Sequence, residues 1–269
     1  MGRVEQHPDT LAPAQVDAYL ARIGAVRPAS PDHAALAALH RAHLLAVPFE
    51  NLGIHLGEPV DLAPDALYAK LVERRRGGFC YELNGLFAEL LRALGFRVTL
   101  LAARVYAAPD RLTIPFDHLA LRVDLADGPR LADVGFGSFV REPLRLDLTA
   151  PQQDQGGSFT VRPDGEYLVV SQDGEAQYRL EQQPRQLADF VPTCWWHTTS
   201  PGSHFTRSLI CSRPLAEGRL SLSGTRLIHT AADGTRTVEE LTEAEALAAY
   251  DERFGFTLPR LPEVLHPAP

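Results

Sequence analysis

The sequence predicts an α+β chain, with helices first, a small antiparallel sheet or barrel in the middle and mixed structure at the end. Three observations carry this reading. Apolar residues recur at helical spacing through the N-terminal third. After Gly95 the period changes to alternation, in RVTLLAARVYA (97–107), DHLALRVDL (117–125) and RLADVGF (130–136). Asp-Gly pairs at 164–165 and 173–174 then separate short strands expected near 158–162, 166–171 and 176–180.

Taken in order, VDAYLARI (16–23) is amphipathic and stops at Gly24. Ser30-Pro31-Asp32 caps a second helix, on which Leu36, Leu39, His40, His43 and Leu44 recur, and Pro48 ends it. Pro64-Asp65 opens a third, short helix with Leu67 and Leu71 on one face. In RRRGGFCYELNGLFAELLRALGF (74–96), Leu83, Leu86, Phe87, Leu90, Leu91 and Leu94 form a helical stripe closed by Gly95. Gly77-Gly78 must turn before this helix, so Cys80 falls at or within one turn of its start. Near the C-terminus, Thr242 and Glu245 make a capping box for a helix ending near Phe254-Gly255. The proline-rich run from Leu258 to Pro269 reads as a tail.

Bulk properties exclude several classes. The chain has 269 residues, 45% of them hydrophobic and 22% charged, which suits two or three packed subdomains. A net charge of -8 with dispersed arginines is wrong for sequence-independent nucleic-acid binding, though it permits a local basic pocket for an anionic cofactor. The opening MGRVEQHPDT has no apolar core, so no signal peptide is expected. Gln6 stands where myristoylation needs Ser or Thr. No apolar run is long enough to span a bilayer. Cys80, Cys194 and Cys211 are an odd set without CxxC spacing, which argues against disulfides and zinc and points to a reducing, cytoplasmic setting. His40 and His43 have no Cys, Asp or Glu at metal-site spacing, and no metal is expected.

Cys80, His118 and Asp133 are the candidate chemical residues. Helix starts and nearby cations stabilise a thiolate, and Arg74, Arg75 and Arg76 lie just upstream of Cys80. Two glycines there would let backbone approach a substrate. Alternation places His118, Ala120 and Arg122 on one strand face. Asp133, flanked by apolar neighbours, needs a partner. His118 and Asp133 lie on consecutive strands about the Asp127-Gly128 turn and could be cross-strand neighbours, with the register left open. Nucleophile, base and orienter together are what acyl transfer through a thioester requires.

These segments resemble the arylamine N-acetyltransferase family. The likeness runs through VPFENLG, RRRGGFCYELNGLF, RVYA, DHLALRV, LADVGFG, WWHTTSPGSHFTRSL and FGFTLP, in order over nearly the whole chain. It implies a helical bundle (1–97) bearing Cys80, a β-barrel (98–190) bearing His118 and Asp133, and an α/β lid with C-terminal tail (191–269), around a cysteine-protease-like Cys-His-Asp core. It also implies ping-pong transfer of acetyl from acetyl-CoA to an arylamine, hydrazine or N-hydroxyarylamine, as in xenobiotic metabolism. Trp196, Ser203, Gly135 and Gly137 would contact the cofactor, and Phe79, Phe116 and Phe205 would wall a flat acceptor. Pro115-Phe116-Asp117 departs from the family's Arg or Thr before the histidine, in a loop that the resemblance places at the acceptor and cofactor cleft. Glu50 and Arg76 are expected to pair and hold the Gly-Gly turn, and Cys80 to ionise easily. A macrolactam-forming amide synthase and a thioester hydrolase are the alternatives that share this triad, and a non-enzymatic CoA-binding protein is a third.

Overall fold

The computed structural model describes residues 11–137 and 140–267. The N-terminal segment on which no signal peptide or myristoylation site was expected lies outside them. The helical part comprises α1 (Pro13–Ile23), α2 (His33–Ala46), α3 (Leu52–Leu56), α4 (Pro64–Tyr68) and α5 (Cys80–Ala93), with the two-residue strand β1 (Phe49–Glu50) between α2 and α3. The expected stop signals act. Gly24 takes φ 67° behind α1, and Asp32 accepts from the Ala35 N–H to start α2. α4 runs on into a wide turn, Ala69–Glu73, that delivers the chain to Gly77-Gly78.

From Arg97 the chain builds β2 (Arg97–Ala108), β3 (Arg111–Leu112), β4 (His118–Leu125), β5 (Gly128–Ala132), β6 (Leu144–Arg145), β7 (Gln152–Asp154), β8 (Gly157–Asp164), β9 (Tyr167–Gln172) and β10 (Glu175–Glu181). All pair antiparallel in the order β6-β5-β4-β2-β10-β9-β8-β7, with β3 added to β2. The two edges of this sheet meet. The Gln152 side chain accepts from the Arg145 main-chain N–H at 2.7 Å and donates to the Arg145 carbonyl at 3.0 Å, so the sheet is a nearly closed barrel.

Alternation in β4 decides which core each residue joins. Ala120 points inward with Leu101, Ala103, Phe159 and Tyr178. Leu119, Leu121 and Val123 point outward against Leu83, Leu86, Phe87 and Leu90 of α5. Each such leucine contributes about 1.5–3 kcal/mol on leaving water.

The remaining segment holds α6 (Val191–Thr199), α7 (His204–Arg207), β11 (Cys211–Pro214), β12 (Arg219–Ser223), β13 (Arg226–Thr230), β14 (Arg236–Glu240) and α8 (Glu243–Ala249). Its sheet is not made from C-terminal sequence alone. The order is β1-β11-β12-β13-β14, with Phe49 opposite Ser212 and Glu50 opposite Cys211. The run after Leu258 is also no free tail. Leu258 is buried, the Leu265 N–H donates to His55 Nδ1, and the His266 N–H donates to the Thr206 carbonyl.

Among the described residues no helix is long and apolar enough to cross a membrane.

Candidate active site

Cys80 is the first residue of α5 and is buried. Three interactions set its place. Glu82 accepts from the Phe79 main-chain N–H at 3.2 Å, closing the first turn, and Lys70, the one lysine of the chain, donates to Glu82 at 2.6 Å. The Glu50 N–H donates to the Gly78 carbonyl at 2.9 Å. Gly135 lies directly on the helix start, where an added Cβ would stand 2.7 Å from Cys80 Cα.

The Gly-Gly turn serves this packing rather than a substrate. A Cβ on Gly77 would meet the Pro48 carbonyl oxygen at 2.0 Å, and one on Gly78 would meet Glu82 Oε2 at 2.6 Å. Beside the turn, Arg76 pairs with Glu50 at 3.0 Å, with side chains only 5% and 0% exposed, and also reaches Glu58 at 3.3 Å. The expected Glu50–Arg76 pair is therefore present, and more deeply buried than a surface clamp.

His118 opens β4 and Asp133 follows β5, both buried. The hairpin pairs Leu121 with Ala132, which carries Asp133 opposite Ala120, two residues from His118 on the same face. The two are diagonal neighbours, not direct partners. His118 Nε2 meets Asp133 Oδ2 at 2.7 Å, leaving Nδ1 as its other ring nitrogen.

Residues that the sequence reading missed complete the carboxylate's shell. Tyr178 of β10 donates to Oδ2 at 3.1 Å, Asn84 of α5 donates to Oδ1 at 2.9 Å, and the Gly135 N–H donates to Oδ1 at 3.0 Å. Burial alone would push the Asp133 carboxyl up. The His118 charge and these hydrogen bonds overcome it and hold the carboxyl below its ordinary range. The Asp133 main-chain N–H donates to His40 Nε2 at 3.2 Å, and His40 Nδ1 lies 3.0 Å from the Arg141 carbonyl. This fixes a neutral tautomer with the proton on Nδ1, in keeping with burial, which lowers the His40 pKa.

The expected arginine effect on Cys80 is absent. Arg74 and Arg75 are exposed, and Arg76 is spent on Glu50 and Glu58. Burial pushes the Cys80 thiol well up, with Asp117, Asp133 and Cys194 adding to the rise and a main-chain hydrogen bond at Leu119 opposing it. Cys194 and Cys211 are buried free thiols with the same upward direction.

Cys80 and His118 face one cavity of about 730 Å³. Gly135, Gly137, Trp196 and Phe205 line it as well, while Asp133 stands behind His118. Three expected contacts are not brought to its wall. Phe79 is 1% exposed and packs its ring on Tyr81 and Phe205. Phe116 turns, at φ 60°, under the Arg185 guanidinium and against Phe190. Ser203 is fully buried and caps α7 by accepting from the Phe205 N–H at 3.1 Å. The core takes the first two and a helix start takes the third. In their place Arg111, Arg207 and Arg219 come to the wall from separate parts of the chain and make it locally basic. Burial and neighbouring Arg141 lower the Arg219 pKa to about 10. Among the described residues no cluster of His, Cys, Asp and Glu could hold a metal ion.

A buried thiol and an imidazole set by a carboxylate, on one basic cavity, suit acyl transfer, and comparison with known proteins gives the class independently. The family profile described as N-acetyltransferase matches residues 32–262. The chain belongs to the arylamine N-acetyltransferase family and is an acyltransferase. It is 38% identical to an arylamine N-acetyltransferase of Mycolicibacterium smegmatis over 89% of this chain and 91% of that one. An arylamine N-acetyltransferase / N-hydroxyarylamine O-acetyltransferase of Salmonella typhimurium is 36% identical, over 75% and 73%. The structure of the Mycobacterium marinum arylamine N-acetyltransferase in complex with CoA superposes with a TM-score of 0.81 at 36% identity, covering 90% of this chain and 92% of that one.

Proposed function

We propose that this protein transfers acetyl from acetyl-CoA to an arylamine, hydrazine or N-hydroxyarylamine through a thioester on Cys80. The observation that carries the reading is the placement of Cys80 and the Asp133-backed His118 on one cavity. In the first half-reaction the Cys80 sulfur bonds to the acetyl carbon and the carbon–sulfur bond to CoA breaks. His118 takes the thiol proton and returns it to the departing CoA sulfur. In the second, the amine nitrogen bonds to the acetyl carbon, the bond to Cys80 breaks, and the amine proton returns through His118 to the thiol. Asp133 orients the ring and stabilises its protonated form. Main-chain N–H groups at the start of α5 supply the oxyanion donors, since the first N–H groups of a helix lack intrahelical partners.

Two further features support the substrates. Arg111, Arg207 and Arg219 suit the phosphates of CoA, and CoA is what the M. marinum relative holds. A cavity of about 730 Å³ suits a drug-sized molecule, which favours small acceptors over the macrolactam alternative.

Steady-state kinetics test the scheme. With acetyl-CoA and an arylamine both varied, double-reciprocal lines should be parallel, because CoA leaves before the amine reacts. Intersecting lines would mean a ternary complex and would contradict it.

A further inference from the structure

A second histidine faces this cavity against a second aspartate. His197 of α6 is buried, and its Nε2 lies 3.1 Å from Asp117 Oδ1, a contact off the hydrogen-bond axis. Thr113 donates to Asp117 Oδ2 at 2.7 Å. Asp117 immediately precedes His118, and its main-chain oxygen is 4.0 Å from Cys80 Sγ. The Tyr81 hydroxyl donates to that same oxygen at 3.2 Å. Asp117 is thus held from three sides next to the nucleophile.

The two members of this pair differ in what they can offer a substrate. His197 has one nitrogen toward Asp117 and the other 3.4 Å from Ser203 Oγ, so it is a holder rather than a free base. A carboxylate has about four lone-pair sites; the hydrogen bond from Thr113 occupies one, and His197 Nε2 lies beside Oδ1 without bonding it. Asp117 is also the one carboxylate among the described residues of the cavity wall, whose other formal charges are arginines.

We propose that Asp117 determines acceptor specificity: its carboxylate takes a hydrogen bond from a second N–H or O–H donor adjacent to the reacting nitrogen, and repels acceptors that carry an anion there. A buried acceptor left without a donor loses binding, and an anion brought against it costs more. This rests on Cys80 being the acetyl carrier.

The test uses acetyl-enzyme made with acetyl-CoA and verified by intact mass before any amine is added. Its discharge is then timed with aniline, ortho-diaminobenzene and ortho-aminobenzoate. Relative to aniline, Asp117→Asn should slow discharge by the diamine and speed discharge by the aminobenzoate, lowering the diamine-to-aminobenzoate ratio by about tenfold or more. Comparing each variant with the unmutated enzyme cancels the amines' own reactivities, and a purely structural lesion would slow all three alike. Asp117→Ser, which also removes the charge, should shift the ratio in the same direction and serves if the Asn variant does not fold. An unchanged ratio on a normally formed acetyl-enzyme, or an equal change for all three amines, overturns this proposal alone. An unmutated protein that takes up no acetyl group overturns the parent reading and this one with it.

Discussion

At the residue scale, the proposed mechanism makes ionisation of Cys80 depend on His118. The sequence suggests help from Arg74, Arg75 and Arg76, because proximity along the chain is all it displays. In space Arg76 faces Glu50, and the charges that bear on the thiol are Asp117 and Asp133. Burial therefore leaves the thiolate to be favoured by the helix start and by proton transfer to His118 on the same cavity wall, as the proposed mechanism requires. In the unmutated protein a small haloacetamide should modify Cys80 faster than Cys194 or Cys211 at neutral pH. His118→Gln should slow alkylation of Cys80 by about tenfold or more, since the buried thiol then loses the base that the mechanism gives its proton to. Equal rates in the two proteins would show that His118 does not set the thiol's ionisation. Cys80, His118 and Asp133 were legible as candidates in the motifs, and the structure sets His118 against Asp133. Asn84, Tyr178 and His40 were not, because each reaches Asp133 from a different element and none carries a local pattern.

Two predictions belong to single elements. β1 is two residues long, yet it pairs with β11, bridges to Gly78 and carries Glu50. Glu50→Gln leaves buried Arg76 with only the partly exposed Glu58, and removing one partner of a buried pair costs about 3–5 kcal/mol. Melting temperature and activity should fall together; unchanged melting would show that the pair contributes nothing. In α2, His43 is fully buried against Phe87 of α5, with its Nδ1 3.0 Å from the Tyr19 hydroxyl. Burial, first, and the neighbouring His40 and Arg22 lower its pKa to about 3 in the folded protein. The unfolded chain binds that proton near pH 6.5. The resulting stability is complete above that pH and drains away as pH falls toward the folded value, by at most about 1.4 kcal/mol per unit. His43→Gln cannot take up the proton, so its stability should fall less steeply than that of the unmutated protein between pH 6 and 4, as read by urea unfolding at each pH. Identical slopes would mean that His43 is not buried neutral. Helix and strand order were legible here because period, caps and Asp-Gly turns are local signals. β1 was not, because two residues have no period and their partner lies about 160 positions away.

Over the whole molecule, the elements converge on one cavity. α5 supplies Cys80, the barrel hairpin supplies His118 and Asp133, and α6 and α7 supply Trp196 and Phe205. The ordered motifs made the family readable. Cavity wall contacts were harder, because whether Phe79, Phe116 or Phe205 faces a substrate depends on packing between segments far apart in sequence. On the proposed mechanism the acetyl group rests on Cys80 between donor and acceptor. Intact-protein mass after acetyl-CoA without amine tests it most directly, with peptide mapping and later addition of an arylamine. A single acetyl should appear on Cys80, and the amine should remove it. An acetyl on Cys194 or Cys211, no acetyl at all, or one that the amine leaves in place would contradict the mechanism.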